Sequence, residues 1–379
     1  MASPLSDVFG RIHHIFFALP AYQVDFVDTI LSCMRGIREA LGPDVRCTVL
    51  HHPPQQEAIE DAMMVSGELD FIPWQHGFVL RLRDTRTDFQ KGTLRVSSMA
   101  LPDFTNWVQD AFLVAVDSTG NRQVAASPKV YRQFGGWDDE VPRQLAAHLG
   151  WPCTTLPVGV EAGNILVDSH AVLIGSDVAQ ETPEPEWTSL QTELASGGRI
   201  VHVCVPNARQ PIFHLDLYVT LAGPHHTTGQ PMALIGSVHR ARALVGDLQT
   251  GESVEAGETL ETGLDGVANH LIALGYAVER LPLLPFSNTF LTKAAHYTYN
   301  NCLVEVWRTP DGAIQRRVTL PSYATEQNDA LTVLDEDAAE VWKGLGFTVR
   351  FARGEFARVA ELFGSLRCMT KVLERSGTM

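Results

Sequence analysis

The sequence is poor in cysteine, short of positive charge and without the marks of export. Its six cysteines, Cys33, Cys47, Cys153, Cys204, Cys302 and Cys368, are scattered along 379 residues and form no C-x-x-C pair. That spacing argues against a zinc knuckle or a disulfide framework and predicts free thiols. Lys and Arg total 29 against 44 Asp and Glu, a formal net charge of −15, with no basic block. Such a field repels nucleic acid and anionic membrane surfaces and mildly attracts cationic small molecules. The N-terminal "MASPLSDVFGRIHHIFFALPAY" has an apolar run too short and interrupted to span a bilayer. It also lacks the basic start and small-residue cleavage site of a secretory signal, so a cytoplasmic location is expected.

What is present is ordinary for a folded enzyme: 45% apolar and 19% charged residues. Short runs rich in branched residues read as strands: "IHHIFFAL" (12 to 19), "RCTVLHH" (46 to 52), "FVLRL" (78 to 82), "AFLVAV" (111 to 116), "NILVDSHAVLIG" (164 to 175), "RIVHVCV" (199 to 205), "MALIGSV" (232 to 238), "CLVEVW" (302 to 307) and "FTVRFA" (347 to 352). Between them "VDFVDTILSCMRGIREALG" (24 to 42), "DDEVPRQLAAHLG" (138 to 150), "ETLETGLDGVANHLIALG" (258 to 275) and "DEDAAEVWKGLG" (335 to 346) read as helices stopped by Gly. The class is α/β. A Leu-Gly ending that feeds a strand occurs four times, which fits either similar modular units or the usual way an α/β chain joins helix to strand. "AQETPEPEW" (179 to 187) and "GDLQTGESVEAGE" (246 to 258) read as solvated loops. No change of composition marks a boundary, so one catalytic domain over 1–379 is expected.

Polar residues cluster beside apolar ones in "NWVQDAF" (106 to 112), "VGVEAGNILVD" (158 to 168) and "IFHLDLYVTLAG" (212 to 223). On an extended strand His214 and Asp216, two apart, would face the same way. An imidazole and a carboxylate amid apolar neighbours must be paired or put to use. Alone, the pair reads equally as a hydrogen-bonded core pair, and Asp110 and Glu161 as turn or cap residues. Vicinal histidines at 51–52 and 225–226 have no metal-ligand spacing. Cys368, in "LFGSLRCMTKVL" (362 to 373), could by itself be a small apolar filler.

The ordered set is more specific than its members. Asp110, Glu161, His214-x-Asp216 and a cysteine near the C-terminus resemble the catalytic set of the guanidine-modifying enzymes of pentein fold. These include agmatine deiminase, arginine deiminase, peptidylarginine deiminase and the amidinotransferases. The resemblance is nearest to the branch of agmatine deiminase and bacterial-type peptidylarginine deiminase. It rests on "NWVQD", "FGGWDDEVPRQLAAHLG" (134 to 150), "EAGNILVDSHAVLIG" (161 to 175), "HLD" (214 to 216), "YNNCLVEVW" through "LPSYATEQNDALTVL" (299 to 334) and the terminal "CMT", in order over about 100–373. It implies a fivefold pseudosymmetric α/β propeller of ββαβ-like units around a central polar site.

It also implies roles. Asp110 and Asp216 match the carboxylates that hold a guanidinium in fork geometry. Cys368 matches the nucleophile, whose thiolate a neighbouring cation favours. His214 matches the acid and base, and Glu161 the residue that orients it. Trp107 and Trp137 sit in family-like blocks where they would wall the substrate cleft. No cofactor or metal is implied. The expected partner is a cationic guanidino small molecule or an arginine side chain, with a homo-oligomer left open. Deimination through a covalent thiouronium is the leading reading. Amidino transfer to an amine and a non-catalytic pentein-fold binder are the alternatives, and agmatine, free arginine, peptidyl arginine or a specialised metabolite all stay open as substrate. Two positions depart from the pattern: Gln109, where the family often has Arg, and Arg367, where it often has His. Gln at the first also occurs in vertebrate-type peptidylarginine deiminases. At the second, Arg367 would favour the thiolate or meet a substrate carboxylate.

Overall fold

The computed structural model describes residues 2–20, 24–63, 68–75, 104–128, 138–246, 254–287, 294–325 and 329–376. The strand predicted at 78 to 82 and Trp137 lie outside them.

Among the described residues the apolar runs form five small sheets. The first holds Ser3–Pro4, Phe112–Val116, Arg122–Ala126 and Cys153–Thr155, and the second Ile165–Val167, Ala171–Gly175 and Ile200–Cys204. The third holds Val219–Pro224, Pro231–Ser237, Ala277–Ser287 and Ala294–Thr298. The fourth holds Leu303–Arg308, Ile314–Pro321 and Thr348–Ala352. The fifth pairs Lys371–Ser376 with Arg11–Leu19, followed by Arg46–His51 and Leu69–Pro73.

One pairing pattern recurs in all five sheets: an antiparallel pair, then a third strand parallel to the second. Parallel neighbours need a crossover long enough for a helix. Val141–Leu149, Glu186–Leu194, Val254–Ala273, Thr332–Gly344 and Val24–Leu41 lie in those crossovers. The four Leu-Gly endings carry glycines at φ of 96°, 67°, 92° and 81° (Gly42, Gly150, Gly275, Gly346), the left-handed geometry that ends a helix without a Cβ penalty.

Three local expectations are corrected. Residues 179–187 have no buried side chain, as expected, but are helical at both ends, in Ser176–Glu181 and the start of Glu186–Leu194, with a turn between. The apolar stripe that holds the second helix down, Leu190 and Leu194, lies beyond the acidic stretch and is fully buried. The helix read from 258 begins at Val254, and residues 247–253 lie outside the described set. His214-x-Asp216 is not on a strand: Leu215–Leu217 is a tight 3-10 turn, and the strand begins only at Val219.

The fifth sheet joins the two ends of the chain. Lys371 pairs with Phe16 and Val372 with Ile15, antiparallel, so the segment just before residue 371 is carried to the N-terminal residues. The buried apolar side chains beneath it, including Ile12, Ile15, Phe17, Leu366 and Met369, belong to the largest hydrophobic cluster. Burial at about 25 cal/mol per Å² makes that cluster the main force fixing the position of Cys368.

Candidate active site

Every residue of the site stands at the same place in its sheet, just before the first strand of the antiparallel pair. Asp110 is on the short helix Val108–Ala111 that runs into Phe112–Val116. Glu161 precedes the turn Ala162–Asn164 that leads into Ile165–Val167. His214 and Asp216 flank the turn before Val219–Pro224, and Cys368 precedes Lys371–Ser376. The fourth sheet contributes Asn301, two residues ahead of Leu303–Arg308.

These residues meet in a buried centre. His214 Nε2 lies 2.6 Å from Glu161 Oε2, and its Nδ1 lies 3.8 Å from Asp110 Oδ1. Asp110 Oδ1 also accepts a 2.9 Å hydrogen bond from the Gly163 amide. A Cβ at residue 163 would stand 2.8 Å from both Asp110 Oδ1 and His214 Nδ1, so a glycine is what lets the two side chains approach. Cys368 is held at two points by one amide: its backbone N–H donates to Asn301 Oδ1 at 3.0 Å, and Asn301 Nδ2 donates to Sγ at 3.1 Å.

Asp216 is fully buried, and its two oxygens differ. Oδ2 accepts from the Arg367 guanidinium at 2.5 Å, whereas Oδ1 has no hydrogen-bond partner. A buried acceptor without a donor costs on the order of 1–3 kcal/mol, which makes Oδ1 a ready receiver for an incoming N–H. Arg367 in turn donates to Asp7 Oδ1 at 2.8 Å, a contact created by the joining of the chain ends. In the orientation that satisfies its amide, the Gln109 oxygen accepts from both Arg367 nitrogens, at 3.2 and 2.9 Å, and its nitrogen donates to the Thr370 carbonyl at 3.3 Å.

The charges follow from these contacts. Burial works to lower the His214 pKa. Asp110, the hydrogen bonds to Cys368 and Glu161, and Asp216 outweigh it, and the imidazole is raised well above its ordinary value. The Cys368 thiol is pushed up to about 11, by burial first and then by Asp216, against the opposing hydrogen bond from His214. The centre by itself therefore holds an imidazolium beside a neutral thiol. A guanidinium placed between Asp110 and Asp216 would offset the charge that holds the thiol up. Burial also lowers Lys371 to about 7, with Arg367 adding to the effect; its Nζ donates to the Gln109 carbonyl at 3.1 Å.

Of the residues singled out from sequence, Asp110, Glu161, His214, Asp216, Cys368 and Arg367 are brought together. Trp107 lies at the edge, its ring over Gly364, where an added Cβ would come within 2.3 Å of ring carbons. Arg367 is buried and engaged by two carboxylates. Sequence reasoning did not single out Asn301, Gly163 or Asp7. Asn301 had a signal in the double Asn before Cys302, two amides entering an apolar strand that must find partners inside. Among the described residues, no group of three His, Cys, Asp or Glu is placed to hold a metal ion, and no helix is long and apolar enough to cross a membrane.

No family model and no curated protein matches the chain. Solved structures do. A putative agmatine deiminase is similar at a TM-score of 0.63 and 12% identity, covering 100% of this chain and 96% of that one. The agmatine deiminase of Enterococcus faecalis is similar at 0.58 and 11%, with the same coverage of 100% and 96%. The chain thus has a mixed α/β fold. More narrowly, it shares that fold with these two structures over 96% of the length of each.

Proposed function

We propose that the protein hydrolyses a guanidino group through Cys368, releasing ammonia and leaving a ureido product. The observation that carries this reading is the meeting of Cys368, His214, Glu161, Asp110 and Asp216 in one buried centre, each from the entry of a sheet's first strand. In this reading the five sheets are the units of a fivefold pseudosymmetric propeller, and the whole chain serves one catalytic centre. The fold shared with agmatine deiminases supports the substrate class.

The geometry suits the steps. The substrate guanidinium donates to Asp110 and to the free Oδ1 of Asp216, and its charge lets Cys368 lose its proton to solvent. The thiolate adds to the central carbon. As the tetrahedral adduct collapses, the C–N bond breaks and protonated His214 gives its proton to the departing nitrogen, so ammonia leaves and an S-alkyl thiouronium remains. Neutral His214, oriented by Glu161, then takes a proton from water. Hydroxide adds to the same carbon, and as the added hydroxyl gives up its proton to solvent the C–S bond breaks, freeing the ureido product and the Cys368 thiolate. Arg367 in this account fixes Asp216 and leaves one of its oxygens for substrate.

The test is turnover of a panel of guanidines in ¹⁸O-labelled water by the parent and by Cys368→Ala. The parent is expected to give equal amounts of ammonia and a ureido product carrying one labelled oxygen, and the variant none. Near-parental turnover by Cys368→Ala would remove the nucleophile assignment. An amidinated acceptor formed at a rate that rises with added amine would make the protein an amidinotransferase.

A further inference from the structure

His214 is almost wholly buried, whereas its neighbour Phe213 is 47% exposed, the third most exposed large apolar side chain among the described residues, after Ile200 and Ile272. The Phe213 ring packs on the His214 ring, centroids 4.5 Å apart, and presents its other face outward. Phe363 meets it edge-on at 6.3 Å. Phe363 is held at φ of 66°, a left-handed conformation that a bulky residue adopts only when its surroundings impose it. The next residue, Gly364, lies under the Trp107 ring. Three aromatic side chains from three separate parts of the chain thus stand together beside His214, within a few residues of Asp110 and Cys368. The two cations nearest Cys368 in sequence cannot greet a substrate's carboxylate: Arg367 is engaged by Asp7 and Asp216, and Lys371 is buried against the Gln109 carbonyl.

We propose that this aromatic face, with Phe213 at its centre, is a specificity subsite for a hydrocarbon tail. The preferred substrate is then an N-alkyl or N-arylalkyl guanidine, and not one whose tail ends in an amino-acid carboxylate. The inference rests on the guanidino-hydrolase reading and adds the class of substituent. An exposed phenyl ring over the site costs little in water, but it becomes useful when a methylene chain or second ring covers it and removes both surfaces from solvent. Full burial of a methylene is worth about fourfold in affinity, and contact on one face about half of that in free energy, or about twofold per methylene.

The experiment measures binding of guanidinium, methyl-, butyl-, hexyl- and 2-phenylethylguanidine, and of arginine, by calorimetry. It uses Cys368→Ala, alone and combined with Phe213→Ala. Affinity is expected to climb about twofold per methylene, to favour the phenylethyl compound, and to put arginine at least tenfold below butylguanidine. Phe213→Ala should flatten the series while leaving bare guanidinium bound as before. A series without slope, a slope that survives Phe213→Ala, or arginine binding as tightly as butylguanidine would overturn the proposal. If the parent releases ammonia from these compounds yet the series is flat, only the subsite fails. If no guanidine binds or turns over, the hydrolase reading falls with it.

Discussion

Replacing Gly163 by alanine puts a methyl group in place of a hydrogen at a crowded point of the centre. The new Cβ would stand 2.8 Å from Asp110 Oδ1, 2.8 Å from His214 Nδ1 and 3.1 Å from His214 Cγ. Ordinary contact begins near 3.5 Å, so both side chains must retreat by several tenths of an ångström. Neither is free to do so cheaply. His214 is tied to Glu161 at 2.6 Å, and Asp110 is tied to the amide of residue 163 itself. Overpacking of this kind costs typically about 1–3 kcal/mol of stability. A displacement approaching 1 Å at reacting groups can cost about a hundredfold in rate, so kcat is expected to fall about 10- to 100-fold. The assay is ammonia release at saturating substrate, with urea denaturation for stability and an NMR titration of His214. The titration should show the imidazole pKa moved down as Asp110 is pushed away. Gly266→Ala, where the added Cβ meets nothing on the helix Val254–Ala273, is the control and should be neutral or stabilising by up to about 1 kcal/mol. Parental kcat, stability and His214 titration in Gly163→Ala would refute the argument that this glycine sets the Asp110–His214 approach.

Asn301→Ala removes both supports of Cys368, the bond to its backbone N–H and the bond to Sγ, and is expected to lower kcat at least tenfold with a smaller change in KM; a parental kcat would count against it. Arg367→Leu leaves Asp216 without its buried partner, at about 3–5 kcal/mol near neutral pH. Because protonation relieves an unpaired carboxylate, the deficit measured in urea should shrink as pH falls, and a pH-independent deficit would contradict the electrostatic cause. Asp138 is pushed up to about 7 by burial, against two hydrogen bonds from Thr105. Between its ordinary value and 7 the folded state keeps a proton that the unfolded state releases, so this group lowers stability as pH rises through that window. Asp138→Asn should therefore gain on the parent between pH 5 and 8, by at most about 4 kcal/mol; an advantage that shrinks with rising pH would show the sign to be wrong.

The two departures from the family pattern are physically one. Gln109 and Arg367 touch: the amide oxygen accepts from the guanidinium. An arginine at 109 would set a second cation against Arg367 in a buried place. A neutral amide there suits a chain whose cation comes from residue 367, through the strand that pairs the chain's two ends.

The α/β class of the fold and the residues that meet in the candidate centre were legible in the sequence. Runs of branched apolar side chains dictate strands wherever they stand, and a glycine after a leucine stops a helix because only glycine enters the left-handed region freely; both are local effects. The order Asp110, Glu161, His214, Asp216, Cys368 suggested a guanidine-binding centre through its resemblance to the guanidine-modifying enzymes, and that centre is the one proposed. Tertiary structure decided what depends on distance. It placed Asn301 on both sides of Cys368 and gave Asp216 one occupied and one free oxygen. It brought Asp7 to Arg367 across the whole length of the chain and turned Phe213 outward beside a buried His214. It also overrode the strand reading of His214-x-Asp216, since a tight turn there meets the demands of both side chains better than an extended segment. The contacts to Cys368, Asp216 and Arg367 all join residues far apart in sequence, and hydrogen bonding and burial are settled only when remote segments share one interior.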